Sequence, residues 1–433
     1  MSQNSIVRIL GRRVWDSRGR PTVEAEVRLK SGAAGRAIAP AGASRGSNEA
    51  IDLRDGGEAL GGLDVHRAVA NVNGEIAQRL QGMDATDQRA VDAALIALDG
   101  TPAKSRLGGN ATIAVSMAVL HAAAAAAGAP LHAYLAGDRP VRLPLPEIQI
   151  FGGGAHAGRR VDIQDFMVMA LGAKSFAQAL DMTAEVYREA GALMRQLGKM
   201  QGVADEGGYW PAFDSNEEAL GLLVRAIEAA GYTPGDDVAI SLDIAASEFG
   251  RDGRYTLGLD RRELDRDGMI EMLLGWCQRY PIASIEDPLA EDDPAGMRAF
   301  TAAVGHRIQV IGDDFLVTNA DRVRAAAHDR SCNAVLIKPN QAGTITETHA
   351  ACEAGQLADF GTIVSARSGE TEDVTIVHLS TGWNAGQLKV GSFSRSERMA
   401  KWNEALRVEE ALGARAEFAG RSVLPPQAGK PLP

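Results

Sequence analysis

The chain has 433 residues, of which 45% are hydrophobic and 23% are charged, and its formal net charge is −11. This length is sufficient for two domains, or for one large α/β barrel with a smaller domain attached. The negative charge argues against a nucleic-acid partner or an anionic membrane surface, although it is compatible with a local site for an anionic substrate. The three cysteines, Cys277, Cys332 and Cys352, form no CxxC pair, which disfavours a disulfide framework or a zinc cluster and favours a reducing cytoplasm.

The first 135 or so residues alternate short strand-like runs with helical segments. In "TVEAEVRLKSGAAGRAIAP" apolar and polar residues alternate and turn-forming residues interrupt them, which predicts antiparallel strands. Helical segments follow, and the alanine-rich stretch 111–127 favours a buried helix over a membrane span. The three prolines of "GDRPVRLPLPE" indicate a boundary, so we expect domains at residues 1–137 and 138–433.

Beyond this boundary, short apolar runs alternate with helical segments, and each run leads into a charged residue. The charged residues are Asp243, Glu286, Asp313, Lys338, Arg367 and Lys389. Successive parallel strands with functional groups at their C-terminal ends are typical of a (β/α)8 barrel, whose active site lies at that face. A doubly wound sheet is the alternative, but no GxGxxG follows an early strand.

Three of these residues are carboxylates on adjacent predicted strands. Asp243, Glu286 and Asp313 suit a hard cation such as Mg²⁺, which prefers oxygen ligands. Each of them alone could equally be a helix N-cap or a surface charge. Their sequential register favours the metal site.

Two lysines and a glutamate complete the candidate chemistry. Lys338 and Lys389 each emerge from an apolar run, and a lysine beside a dication can have its pKa lowered and serve as a base. The alternative for either lysine is a solvated surface position. Glu206 lies on the glycine-flanked loop "VADEGGYW", where it is either a turn carboxylate or the acid that acts with a lysine base.

These residues lie in motifs that resemble the enolase family over nearly the whole chain and in the same order. The motifs are "VWDSRGRPTVEAEV", "RLGGNATIAVSMAVLHAAA", "GGGAHAGRRVDIQDFMVM", "VADEGGYWP", "SLDIAASEF", "SIEDPLAEDD", "GDDFLVTN", "LIKPNQAGTITET", "RSGETED" and "GSFSRSERMAKWNEALRVEEALG". The resemblance implies an α/β chain in which a small N-terminal α+β cap domain precedes a modified (β/α)8 barrel. It also implies a homodimer.

The resemblance gives roles to the carboxylates and lysines. It implies Asp243, Glu286 and Asp313 as ligands of a first Mg²⁺. Lys338 becomes the base that removes the proton beside the substrate carboxylate, and Lys389 binds that carboxylate. Removal of this proton creates an ene-diolate, whose stabilisation by Mg²⁺ beside a lysine base is characteristic of the enolase superfamily.

The other implied residues surround the departing hydroxyl and the phosphate. Glu206 helps the 3-hydroxyl to leave, and Asp165 stands where the family has a supporting glutamate. The positions at which the family meets the phosphate are His156, Arg367, Ser368 and Ser44, and Ser44 also helps to hold a second Mg²⁺. Two Mg²⁺ per site are therefore expected.

Several positions depart from the family pattern. Ala366 replaces a histidine in "SARSG", which removes an imidazole beside the hydroxyl and the phosphate. The loop "AGASR" ends in Arg45, where the family has threonine, and this adds a cation beside Ser44. The other departures are Asp165 for glutamate, Phe151 for asparagine, Pro339 for valine and Ala342 for isoleucine.

Three functional hypotheses follow. Because the changes lie around the phosphate, the first is a specialised enolase relative such as carboxyphosphonoenolpyruvate synthase of phosphinothricin-type phosphonate biosynthesis, with a phosphonate substrate. The second is neutral drift in an ordinary enolase that dehydrates 2-phosphoglycerate to phosphoenolpyruvate. The third is a non-catalytic binding protein, which the intact Lys338, Glu206, Lys389 and metal carboxylates disfavour.

Overall fold

The computed structural model describes residues 2–432. Its strands, in chain order, are β1 (Ile6–Trp15), β2 (Pro21–Leu29), β3 (Ala34–Ile38), β4 (Arg142–Leu143), β5 (Leu145–Gly152), β6 (Asp165–Met169), β7 (Met200–Val203), β8 (Tyr209–Pro211), β9 (Ala239–Asp243), β10 (Gly250–Arg251), β11 (Arg254–Leu257), β12 (Arg262–Asp265), β13 (Ile282–Glu286), β14 (Gln309–Gly312), β15 (Ala334–Ile337), β16 (Gly361–Ser365), β17 (Gly386–Ser392) and β18 (Glu417–Phe418). Its α-helices are α1 (His66–Asn71), α2 (Ala77–Leu80), α3 (Gln88–Asp99), α4 (Gly109–Ala126), α5 (Leu131–Ala136), α6 (Phe176–Gln196), α7 (Asn216–Ala229), α8 (Arg266–Arg279), α9 (Pro294–Val304), α10 (Ala320–Asp329), α11 (Pro339–Ala342), α12 (Ile345–Leu357), α13 (Thr375–Gly382) and α14 (Ser396–Leu412).

The N-terminal part is an antiparallel sheet in the order β1-β2-β3, with helices packed against it. This confirms the strands predicted from the alternation in residues 22–40. Helix α4 packs on β2 and β3 and buries alanine, valine and isoleucine side chains. Of the described helices, α4 is the one long and apolar enough to cross a membrane, and 83% of it is buried inside the protein. The prediction of a buried helix at this position is therefore confirmed.

Eight strands close into a barrel, in the order β5, β6, β9, β13, β14, β15, β16 and β17, and β17 pairs back onto β5. The strands β9 and β13 to β17 are the six predicted from the sequence, and these six run parallel to one another. Closure excludes the doubly wound sheet. The core strands are buried along nearly their whole length because helices cover the outside of the barrel.

The barrel departs from regular (β/α)8 topology at its start. Strand β6 runs antiparallel to both β5 and β9, and the β7–β8 hairpin is attached through β8 to β5. Strands β5 and β6 were not among the barrel strands predicted from the sequence. The antiparallel direction of β6 was also not predicted, because an apolar run that is buried on both faces does not reveal its direction. Helix α5 ends at Ala136 and β5 begins at Leu145. The domain boundary predicted at residues 137/138 falls between these two elements, and it stays a prediction.

The N-terminal part contacts the C-terminal mouth of the barrel directly. Ala41 and Gly369 exchange two backbone hydrogen bonds, Ala41 N–H to Gly369 O at 3.0 Å and Gly369 N–H to Ala41 O at 2.8 Å. This bridge places the segment 41–49 beside the loop that follows β16. The two segments are joined although more than 300 residues separate them in the chain.

Candidate active site

A narrow cavity opens at the C-terminal mouth of the barrel, where the sequence predicted the site. The predicted residues that line it are Ser44, His156, Asp165, Glu206, Asp243, Lys338, Ala366, Arg367, Ser368 and Lys389. Glu286 and Asp313 lie directly behind this lining, since each pairs with one of the lining lysines. Arg45 is exposed and does not line the cavity, so its predicted position beside the phosphate is not seen in this conformation.

The three carboxylates predicted to bind metal are buried at one edge of the barrel. The Lys389 Nζ lies 2.8 Å from both Asp243 Oδ2 and Glu286 Oε2. Asp243 and Glu286 are the last residues of β9 and β13, and Asp313 follows β14, so parallel pairing brings all three to one edge. Lys389 is the fourth residue of the seven-residue β17 and not its end, as the sequence had suggested.

This donor set fits a hard divalent cation. Burial raises the pKa of Glu286 well above its ordinary value, and the neighbouring Asp243 charge raises it further. Glu286 Oε1 is buried and accepts no hydrogen bond from the described part of the chain. A cation would relieve the repulsion and coordinate that oxygen, and carboxylate oxygens are the ligands that Mg²⁺ prefers. Asp243, Glu286 and Asp313 could therefore hold Mg²⁺.

Both lysines are paired with the metal-site carboxylates. Burial alone would lower the pKa of Lys338, but the adjacent Asp313 carboxylate outweighs it and the pKa is raised. Lys389 behaves in the same way, with Asp243 and Glu286 as the main opposing charges. The lowered lysine pKa expected from the sequence is therefore not found in this conformation, in which Lys338 and Asp313 form a direct ion pair.

Glu206, His156 and Asp165 form a buried cluster on another wall of the cavity. His156 Nδ1 lies 3.2 Å from Asp165 Oδ1, and His156 Nε2 lies 3.8 Å from Glu206 Oε1. Burial raises the pKa of Glu206, whereas at Asp165 the opposing His156 charge overcomes burial and lowers the pKa to about 2. Two neighbouring carboxyl groups thus differ in their affinity for a proton, which is how acid and base roles are separated.

Hydroxyl and guanidinium groups gather at the predicted phosphate end. Ser368 Oγ accepts hydrogen bonds from Ala43 N–H at 2.7 Å and from Arg18 Nη1 at 3.1 Å. The Arg367 side chain is buried and reaches the backbone oxygen of Ser44 at 2.9 Å. The three predicted residues Ser44, Arg367 and Ser368 are therefore joined in one cluster.

The residues that depart from the family pattern lie at different positions relative to the cavity. Ala366 is buried in the cavity wall and donates its N–H to Lys389 O at 2.8 Å, so a larger side chain there would enter the cavity. Phe151 packs edge-on against Phe213, away from the lining. Pro339 begins α11, where proline is favourable because no helical N–H is lost.

Several residues of the site were not found by sequence reasoning. Gln149 donates to Asp165 Oδ1 and accepts from Gly208 N–H at 2.8 Å, and Gln164 Nε2 donates to Asp243 Oδ2 at 3.0 Å. The others are Glu49, Gln341, Asp287, Arg398 and Lys401. A polar residue inside an apolar strand was the available signal for Gln149, because such a residue needs a buried partner.

Both parts of the chain match models of one known protein family. Residues 6–135 match the family model described as the enolase N-terminal domain, and residues 140–427 match the one described as the enolase C-terminal TIM barrel domain. The chain belongs to the enolase family. It is 50% identical over 418 residues to a protein named Enolase 1 from Desulfitobacterium hafniense (strain Y51), and the match covers 96% of each chain.

Family membership confirms the fold and the enzyme class predicted from the motifs. The chain is an enolase-superfamily lyase of the hydro-lyase type, and its small N-terminal domain precedes a closed eight-stranded barrel.

Proposed function

We propose that this enzyme dehydrates 2-phosphoglycerate to phosphoenolpyruvate. The observation that carries the proposal is the cavity in which Lys338, Lys389 and Glu206 meet the buried carboxylate Asp243. Such a cavity offers a base, a cation for a carboxylate and a second carboxyl group within one enclosed space. The 50% identity to a protein named Enolase 1 supports the same activity.

The residues divide the reaction between them. Lys338 in its neutral form takes the proton from the carbon beside the substrate carboxylate, and Lys389 holds that carboxylate. A cation on Asp313 would weaken the Lys338–Asp313 ion pair and so would favour this neutral form. Two bound Mg²⁺ ions, one of them on Asp243, Glu286 and Asp313, would supply the positive charge that stabilises the ene-diolate.

The hydroxyl leaves on the side of Glu206. Burial raises the pKa of Glu206, which favours a protonated carboxyl that can donate to the leaving oxygen. His156 lies between this group and Asp165, 3.8 Å from Glu206 Oε1 and 3.2 Å from Asp165 Oδ1, and helps to fix its position. Ser44, Arg367 and Ser368 bind the phosphate, and Ser44 also contributes to the second metal position.

The specialised phosphonate hypothesis receives no support. A relative that is 50% identical to this chain is named Enolase 1. Arg45, one of the two residues that motivated the hypothesis, is exposed and lies outside the cavity lining. Ala366 leaves more room in the cavity wall than the histidine of the family pattern would, and this alone does not select a phosphonate substrate. The alternative drawn from the sequence, an ordinary enolase, therefore fits better than the first hypothesis.

A non-catalytic binding protein is disfavoured by the same cavity. Its buried lysines and carboxylates carry a desolvation cost that apolar residues would avoid. A homodimer remains a prediction from the family resemblance, and a cytoplasmic location remains a prediction from the unpaired cysteines. Sedimentation of the purified protein would test the dimer.

The test is a Mg²⁺-dependent assay with 2-phosphoglycerate as sole substrate, followed by the ultraviolet absorbance of phosphoenolpyruvate. We expect rapid product formation that disappears when Mg²⁺ is chelated. A second arm adds phosphonoformate and follows the mixture by phosphorus NMR. Product only in the second arm, with a new phosphonate ester signal, would contradict the proposal and restore the specialised hypothesis.

A further inference from the structure

Glu49 lies beside Arg367, and neither the sequence patterns nor the roles proposed for the other residues assign it a function. Glu49 is buried, with 5% of its surface exposed, and it faces the equally buried Arg367. Its Oε2 lies 2.9 Å from Arg367 Nη1 and its Oε1 lies 3.2 Å from Arg367 Nη2. This is a two-pronged pair between a carboxylate and a guanidinium, which fixes the plane of the arginine more firmly than a single contact.

The Arg367 donors are almost fully used by the protein. Besides Glu49, Nη1 donates to Asn340 Oδ1 at 3.0 Å and Nη2 donates to Ser44 O at 2.9 Å. All four Nη hydrogens therefore have acceptors. Within the described chain, only the Nε–H is left without a protein acceptor, and it belongs to a side chain that lines the cavity.

Glu49 also holds the segment that carries Ser44. Its Oε1 accepts the Gly46 N–H at 3.0 Å. At Gly42 a Cβ atom would collide with the Arg367 guanidinium, so the backbone lies against the arginine as closely as glycine allows. The same carboxylate thus fixes Arg367 and the segment 42–46 together.

A third set of contacts connects Glu49 with the metal ligands. Gln341 Nε2 donates to Glu49 Oε1 at 3.2 Å and to Asp313 Oδ1 at 2.9 Å. Gln341 Oε1 accepts from Thr318 Oγ1 at 2.6 Å, and Thr318 Oγ1 accepts the Lys338 N–H at 2.9 Å. A continuous buried network therefore runs from Arg367 to Asp313 and Lys338.

We propose that Glu49 is a positioning residue that orients Arg367 for the substrate phosphate, and that Gln341 ties this end of the site to Asp313 and Lys338. The inference rests on the proposed function, in which Arg367 meets the phosphate. Glu49 aligns the guanidinium before the substrate arrives, so binding does not have to order it. The Glu49 contact to Gly46 brings Ser44 to the same anion.

The test compares Glu49→Gln with Glu291→Gln. Glu291 accepts the Ser47 N–H at 3.1 Å on the exposed side of the same segment, so its replacement loosens the segment without touching Arg367. We expect Glu49→Gln to raise KM for 2-phosphoglycerate at least about tenfold while kcat stays within about threefold, because a charge-assisted pair is lost at the phosphate end. Glu291→Gln should change KM less than about threefold.

Two further variants separate positioning from a structural role. In an Arg367→Lys background the Glu49→Gln change should add less than about threefold, because the guanidinium that it orients is gone. Gln341→Met should raise KM and also lower kcat, since it contacts both ends of the network. Equal KM effects of Glu49→Gln and Glu291→Gln, or full additivity with Arg367→Lys, would overturn the proposal.

Inorganic phosphate supplies a measurement that does not depend on turnover. Calorimetry should show weaker phosphate binding to Glu49→Gln than to the unmodified protein, and equal affinities would also overturn the proposal. Should Glu49→Gln fail to fold, Glu49→Asp replaces it, because the shorter carboxylate cannot reach both nitrogens. Absence of phosphoenolpyruvate formation by the unmodified enzyme would contradict the proposed function, and the phosphate arm would still decide the role of Glu49.

Discussion

Asp287 accepts hydrogen bonds from the backbone N–H groups of two successive residues, Asp313 at 2.9 Å and Asp314 at 2.7 Å. It lies directly after Glu286 at the end of β13, and it is buried. The Asp287 side chain thus fixes the backbone that carries the Asp313 carboxylate. Residues that orient ligands in this way set metal affinity without touching the metal.

Asp287→Asn should weaken Mg²⁺ binding by about 10- to 100-fold, because an amide offers only one acceptor to the two N–H groups. Calorimetric titration with Mg²⁺ measures the affinity. The matched control is Asp293→Asn, since Asp293 is equally buried, caps α9 through Gly296 N–H and lies outside the cavity lining. Similar Mg²⁺ affinities of Asp287→Asn and the control would contradict the assignment.

At the scale of elements, α14 supports the phosphate-end loop from behind. Helix α14 spans Ser396–Leu412. Its buried face includes two charged residues, Arg398 and Lys401, which a hydrophobic pattern does not predict to be core positions. Arg398 donates to the backbone oxygens of Arg367 and Ser368 at 2.7 and 2.6 Å, so the charges hold the loop that follows β16.

Lys401→Met should destabilise the protein by about 3–5 kcal/mol, because Glu370 would remain buried without its cation. Lys401 Nζ lies 2.9 Å from Glu370 Oε2, and both side chains are buried. Urea unfolding measures the loss. The double variant Lys401→Met/Glu370→Gln should recover part of the lost stability, since a neutral amide can still accept the Arg367 N–H. If Lys401→Met is as stable as the parent, the buried Lys401–Glu370 pair does not stabilise the protein in this way.

At the scale of the whole molecule, a pair of histidines joins the N-terminal part to the barrel. His132 on α5 stacks on His378 on α13, with ring centroids 5.7 Å apart, and His378 Nε2 lies 3.4 Å from Glu404 Oε1. The pKa of His378 is lowered to about 4, mainly by burial. The neighbouring His132 and His121 also lower it, whereas the negative charge of Glu404 raises it. Asp373 is the other charged group nearby, and it acts in the same sense as Glu404.

The depressed pKa predicts an acid-labile interface. The neutral imidazole contributes stability above its ordinary pKa of about 6.5, and this contribution is lost as the pH falls toward 4. Between pH 7.5 and pH 5 the unmodified protein should lose about 2 kcal/mol more of its unfolding free energy than His378→Gln. Replacement of the exposed His66 by Gln is the control, and equal pH dependence of the three proteins would refute the prediction.

The sequence predicted most of the barrel because its strands carry charged residues at their C-terminal ends, as with Asp243 and Lys338. It did not predict the antiparallel direction of β6, which depends on how the barrel closes. Nor did it predict the contacts of Glu49, because its partner Arg367 lies 318 residues away and no local pattern records that pairing. Contacts between remote segments are set by the fold as a whole, and these are what tie the two ends of the site together.

Lys338 is the group proposed to remove the proton beside the carboxylate of 2-phosphoglycerate. Proton NMR of 2-phosphoglycerate in deuterated water with Mg²⁺ follows the exchange of this proton. The parent protein is compared with Lys338→Ala and with the control Lys104→Ala, which removes another buried lysine that is paired with a carboxylate, Glu347. We expect exchange at that carbon in the parent and in Lys104→Ala, and a loss of about 10²–10⁴-fold in Lys338→Ala. Exchange by Lys338→Ala at the parental rate would show that another group is the base.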